Sequence, residues 1–144
     1  MTAHDRSLCA ALAGLLRAVR VVAAWGFALT CIAALVLGVA LPMLSMTSTM
    51  GFGAVTLLGV LERYFALRLV FDADLFEALA RGSIDTLPAL DAALLRLGLH
   101  RAPDAPRSLE ERIHGTRALM QRHGIVVACQ SAMFLLALLT QDLR

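Results

Sequence analysis

From Val21 to Pro42 the chain reads VVAAWGFALTCIAALVLGVALP, 22 residues without a charge. As a helix that run reaches about 33 Å, enough to cross a hydrocarbon layer of about 30 Å. It predicts a first transmembrane helix over 21–42. A cleavable leader ending at Gly38-Val39-Ala40 is the competing reading, but the run exceeds the roughly 7–15 apolar residues of such leaders. Composition agrees with a membrane chain: 59% of the 144 residues are apolar, against roughly 45–50% in soluble domains. By length the chain is a single membrane domain, 1–144.

Two further spans are expected. Met46 to Leu61 is free of charge but short, about 24 Å of helix, so a second span over 46–66 has its inner end at Glu62, Arg63 and Tyr64. The run GIVVACQSAMFLLALL can be extended backwards through RALMQRH, whose arginines snorkel, to give a third span over 118–140. Thr2 with Asp5 and Ser108 with Glu111 have capping-box spacing, predicting helix starts near Ala3 and Leu109. The first of these predicts a short surface helix ending at Arg17 and Arg20, and the second a helix continuing to Thr140. In SIDTLPALDAALLRLGL, Asp85 or Thr86 can cap a helix with Leu87, Leu90, Leu94 and Leu97 on one face and Gly98 at its end. The fold class is therefore all-α integral membrane, about three transmembrane helices with a cytoplasmic amphipathic helical region, 67–117, between the second and third.

Orientation follows from arginine. Three arginines precede the first span and nine lie between Arg63 and Arg122, against Arg144 alone on the other side. The positive-inside rule then predicts an inner-membrane protein with a cytoplasmic N-terminus and an outside C-terminus. Trp25 and Tyr64 fall near the inner interface, as an aromatic belt requires.

The stretch LLGVLERYFALRLVFDADLFEALARG poses the functional question, because Glu62, Arg63, Arg68 and Asp72 interrupt an unbroken helical pattern. On a wheel of 100° per residue, Glu62, Arg63, Asp74, Glu77 and Arg81 share an arc of about 120°, while Arg68 and Asp72 lie opposite, four residues apart and able to pair. One reading lets the helix leave the bilayer at Leu61 and wet its polar arc. Replacing Glu62 and Arg63 by Gln would then be nearly neutral. The other holds the charges inside the bilayer, where each costs on the order of 2.5–3.5 kcal/mol and needs a partner. The first is the expectation for Glu62 and Arg63, the second in weaker form for Arg68 and Asp72.

Small residues recur every four positions at Gly26, Thr30, Ala34 and Gly38, at Gly51, Val55 and Gly59, and at Gly124, Ala128 and Ala132. Such ridges let helices approach closely. They predict a packing surface on which Ala34→Ile is damaging and Ala33→Ile milder.

Little points to chemistry. The formal charge of +2 and an aromatic content of 6% do not suit a nucleic-acid groove. The three cysteines lack redox or metal spacing, one Glu-x-x-His element (Glu111 to His114) is too few for a di-iron bundle, and His114 and His123 lie on opposite sides of one helix. Walker, GxSxG, HExxH and GxGxxG motifs are absent from the sequence. No catalytic residue, cofactor or metal is expected. The leading expectation is a non-catalytic accessory or assembly subunit of a larger inner-membrane complex, with the lipid bilayer and other membrane subunits, or further copies of itself, as partners. The alternative is an oligomeric transport or pore-forming, holin-like protein with Glu62, Arg63, Arg68 and Asp72 along a path.

Overall fold

A computed structural model describes residues 2–84, 86–96 and 108–141. Among them every regular element is helical: α1 (Ala3–Ala40), a 3-10 turn (Leu41–Met43), α2 (Met46–Arg81), α3 (Leu87–Arg96) and α4 (Leu109–Leu139). Asp85, Leu97, Gly98 and the Pro-rich segment before Arg107 lie outside the described residues, as do the side chains of Leu90 and Leu94. Of the expected apolar face of α3, Leu87 alone has a described side chain, and it is half-buried.

Local chemistry accounts for the helix ends. Asp5 Oδ2 accepts from the Thr2 amide at 2.8 Å and Thr2 Oγ1 from the Asp5 amide at 3.2 Å, closing the first capping box. Ser108 and Glu111 repeat it at 3.0 and 3.2 Å. Thr86 caps α3 through the Ala89 amide at 3.4 Å. Helix α2 begins after Ser45, whose hydroxyl accepts from the Ser48 amide at 3.1 Å. It stops at Gly82, where φ is +73° and the Ser83 amide reaches back to the Ala78 carbonyl at 3.0 Å. That closure requires a left-handed residue, which glycine supplies without strain.

One expectation about helix extent is corrected. The stretch before the first span is not a separate surface helix, because α1 runs unbroken through Arg17 and Arg20. No proline interrupts it, and Arg17, Ala18 and Arg20, good helix formers, stand at the junction. Among the described residues two helical stretches, Ala3–Met43 and Leu109–Leu139, are long and apolar enough to cross a membrane. Helix α2 is not in that pair.

The chain forms two compact units, the first made of residues up to 17 with 69–119, the second of 18–68 with 120–144. In the first, Cys9, Leu12, Ala13 and Leu16 of α1 and Leu69, Ala73, Phe76 and Leu79 of α2 are buried. Thr116 donates to Asp72 Oδ2 at 3.1 Å, Arg112 pairs with Asp91, and Glu77 pairs with both Arg81 and Arg17. Hydrogen bonds from Arg81 and then Arg17 hold the Glu77 carboxyl below its usual range. Burial, aided by Asp5, pushes the Cys9 thiol up, which disfavours its thiolate.

In the second unit the helices pack on a seven-residue repeat. Ser48, Val55 and Glu62 of α2 face Ala137, Gln130 and His123 of α4, in antiparallel register: Ser48 Oγ donates to the Ala137 carbonyl at 3.1 Å, Gln130 Nε2 to the Val55 carbonyl at 3.4 Å, and Glu62 Oε1 meets His123 Nε2 at 3.0 Å. A period of 3.5 keeps one seam facing its partner along packed helices. Leu29, Ala33, Phe52, Val55 and Ala137 form the apolar core, with Phe52 edge-on to Phe134 at 5.7 Å.

The small residues divide on this seam. Gly26 is buried and Thr30 half-buried, and Gly51 and Gly59 sit where a Cβ would strike Ala137 and Thr30. Ala34, Gly38, Gly124, Ala128 and Ala132 are exposed instead, and neither Gly38 nor Gly124 has an atom within 4 Å of a Cβ placed on it. Of the occupants such ridges admit, another helix of this chain, a second copy or a larger partner, these five do not meet the first. A four-residue spacing advances 400° per step, drifting about 40° from the seam each time, whereas alternating steps of three and four drift only about 20° per seven residues. Ala33, wholly buried, takes the place expected for Ala34.

Candidate functional site

Of the four charges singled out in α2, Glu62 lies where the sequence reading did not put it. Its side chain is 0% exposed, so the expectation that it reaches water at the end of a span is overturned. The wheel shows why. Ala66, Leu69, Ala73 and Phe76 all fall within about 40° of Glu62, and they form the buried stripe of α2. Glu62 marks the edge of the charged arc and the middle of the apolar one.

Three N–H donors converge on its carboxylate. Arg63 donates Nε to Oε2 at 2.6 Å and Nη2 to Oε1 at 2.8 Å, a two-pronged pair from the adjacent residue. His123, only 1% exposed, approaches Oε1 at 3.0 Å through Nε2. An ionised carboxylate only accepts, so the contact requires the Nε2 nitrogen of His123 to carry a proton, as assigned from the network. Helix α1 completes the site: the Ala23 carbonyl accepts from Arg63 Nη2, and the Phe27 ring lies 4.9 Å under the guanidinium. Gly26 leaves room for the acid, since a Cβ there would stand 3.0 Å from Glu62 Cγ and 3.1 Å from Cδ.

The next layer is uncharged. Gln130, 0% exposed, donates from Nε2 to Thr30 Oγ1 at 2.8 Å and to the Gly26 carbonyl at 3.0 Å. Its Oε1 has no hydrogen-bond partner and lies 3.3 Å from the same Gly26 Cβ position that Glu62 flanks. A buried acceptor without a donor costs roughly 1–3 kcal/mol, so the amide is held here by its two N–H groups, shared among Thr30 Oγ1 and the Gly26 and Val55 carbonyls.

Arg68 and Asp72 do not join this site. Arg68 is exposed and donates to the Tyr64 hydroxyl at 3.4 Å, while Asp72 belongs to the other unit and accepts from Thr116. The residues that sequence reasoning missed are His123 and Gln130. His123 entered it only as a poor haem ligand. Thr116, His123, Gln130 and Ala137 stand seven apart, as do Ser48, Val55 and Glu62, and that repeat would have brought Glu62 and His123 to one seam. No group of three or more metal-ligating side chains occurs among the described residues. The chain matches no protein-family model, no curated protein and no solved structure, so its function has to be argued from geometry.

Proposed function

We propose that the chain is a three-span inner-membrane bundle that serves as a non-catalytic accessory or assembly subunit, docking to other membrane proteins through α1 and α4. The observation that carries this reading is the outward turn of the small residues. Ala34 and Gly38 on α1 and Gly124, Ala128 and Ala132 on α4 are exposed, beside Leu35 and Val39 at 65% and 76% exposure. A water-soluble protein would cover such faces. In a bilayer, lipid covers the leucines and valines, and the smooth strips admit another helix at short range.

The second helix counts as a span in this reading because its charges are internally paired. With Glu62 held by Arg63 and His123, the insertion cost of an isolated charge does not apply in full. Gly26 of α1 stands against Glu62, which puts Trp25 and Tyr64 at one level, both more than half exposed, as an interfacial belt would have them. The twelve arginines at and before Arg122 orient the N-terminus and the region 67–117 inward.

Thiol labelling of intact cells tests the topology. In a background with Cys9, Cys31 and Cys129 replaced by Ala, Met46→Cys should react from outside and Ser83→Cys only after permeabilisation. Met46 is 82% exposed at the start of α2, whereas Ser48, nearby, is too buried to report. Labelling of Ser83→Cys in intact cells would overturn the orientation.

Mild-detergent purification tests the docking. A foreign membrane protein in fixed stoichiometry is expected. Ala34→Ile and Ala128→Ile should lose it while the isolated chain keeps its melting temperature, whereas Ala33→Ile should lower that temperature through overpacking of about 1–3 kcal/mol. The second reading, an oligomeric transport or pore-forming protein, is favoured by one observation, the ionisable Glu62–His123 contact buried between two helices. A ladder of self-oligomers with no foreign partner, together with ion flux in proteoliposomes, would replace the subunit reading by that one.

A further inference from the structure

Of the described residues of α2 that are exposed between Met46 and Arg68, Arg68 alone is charged, and Thr47 and Tyr64 alone of the rest carry a hydroxyl. Glu62 is buried, and Arg63 is engaged by Glu62 and the Ala23 carbonyl. The exposed apolar positions begin at Met46 and end at Leu67, 82% and 75% exposed, and stay within an arc of about 120°. From Met46 to Leu67 the helix rises about 32 Å, which matches a hydrocarbon layer of about 30 Å. With Met46 at one edge of that layer, Arg68 stands just past the other, at the level of the lipid headgroups.

The Arg68 guanidinium carries five N–H donors, and Nη1 gives one to the Tyr64 hydroxyl at 3.4 Å. That contact brings no negative charge. It also leaves the hydroxyl its own proton to donate, so N–H and O–H groups lie side by side where an apolar face ends. Side chains on a helix lean toward its N-terminus, which for α2 carries the guanidinium back toward Tyr64 and the edge of the layer. An occupant of this place needs an anion for Arg68 and apolar length to lie along Leu67, Leu61 and Leu57. From Leu57 to Leu67 the rise is about 15 Å, half of the hydrocarbon layer and so the depth of one leaflet.

We propose that Arg68 and Tyr64 bind the phosphate of an anionic glycerophospholipid of the inner leaflet, whose acyl chains lie along the exposed leucines of α2. The phosphate diester supplies what the Tyr64 hydroxyl does not, a negative charge with two oxygens that the planar guanidinium can meet together. A choline headgroup carries its own cation beside the phosphate, whereas a headgroup without one leaves the full charge to Arg68. The cytoplasmic leaflet is the anionic one, and the arginines at and before Arg122 turn the same end of the bundle toward it.

Tyr64 is the only tyrosine in the chain, so carbon-13 labelling of tyrosine gives one ring signal at the site. In the full chain in maltoside micelles, added phosphatidylglycerol should shift that signal to saturation. Phosphatidylcholine should need a concentration about fivefold higher, the worth of one arginine at an anionic surface. Arg68→Gln should bind phosphatidylglycerol about fivefold more weakly, and the substituted side chain is exposed, outside the packed seam. Inorganic phosphate should leave the signal in place. An equal response to the two lipids, an unchanged response in Arg68→Gln, or the same shift with inorganic phosphate overturns the proposal, and the comparison of lipids in wild type decides it without the variant. The site rests on the membrane reading above, and the two fail separately: a chain whose Met46→Cys reacts from outside but whose Tyr64 signal ignores phosphatidylglycerol keeps its topology and loses this site.

Discussion

Arg63→Gln should destabilise the purified protein by about 3 kcal/mol, the low end of the 3–5 kcal/mol expected when one member of a buried ion pair is removed. Glu62 would keep a carboxylate with no exposure to water and His123 as its remaining hydrogen-bond donor. That remaining bond is what keeps the loss at the low end. Glu62→Gln should be cheaper, about 1 kcal/mol, because the half-exposed Arg63 can turn to water and the new amide still offers His123 an acceptor. The double variant should resemble Glu62→Gln alone, so the two changes couple by roughly 3 kcal/mol in the favourable sense. Unfolding of the three variants in a single detergent measures the cycle. Two small and additive losses would mean that Glu62 reaches water, the outcome that the α2 sequence suggested and the packing overturns.

Gly59→Ala is expected to cost about 2 kcal/mol, although alanine favours a helix over glycine by about 1 kcal/mol. The new Cβ would stand 2.1 Å from Thr30 Oγ1, 2.5 Å from Cγ2 and 2.8 Å from Cβ. Rotating Thr30 exchanges its hydroxyl and methyl but leaves Cβ where it is, so α1 and α2 have to part. Thr30 Oγ1 also donates to the Gly26 carbonyl at 2.9 Å and accepts from Gln130, bonds worth about 1 kcal/mol each that the movement strains. Overpacking of about 1–3 kcal/mol adds to them. Gly53→Ala is the internal control: its Cβ meets nothing within 4 Å, and it should be neutral or mildly stabilising. Thr30→Gly should rescue part of the Gly59→Ala loss by clearing the contact. Equal melting temperatures for Gly53→Ala and Gly59→Ala would show that the two helices do not approach as closely as Gly59 and Thr30 require.

Both expectations turn on which face a helix presents, and that was the least legible property of this chain. Glu62, Asp74 and Glu77 share an arc on the wheel, yet Glu62 is 0% exposed while Asp74 lies at the surface. Charge alone did not separate them, because the apolar stripe of α2 overlaps the edge of the charged arc. Gly26 and Thr30 were found through their four-residue spacing, but the same spacing led outward to Ala34 and Gly38. The seven-residue recurrence of Ser48, Val55 and Glu62, and of His123, Gln130 and Ala137, was present in the sequence. Its members are too mixed in polarity for a hydrophobic pattern to expose it.

What the sequence by itself determined is local. Capping hydroxyls at Thr2, Thr86 and Ser108, the left-handed Gly82 and the charge-free length of Val21–Pro42 act over a few residues or one helix, so their consequences follow from neighbours in the chain. What only the tertiary structure decided is the rotation and register of α1, α2 and α4 about one another. Glu62 meets His123 across 61 positions, and Gly26 meets Gln130 across 104. Such pairings are selected by the close fit of glycine against threonine and by the need of every buried charge for a partner, conditions that are met only when all three helices are packed at once.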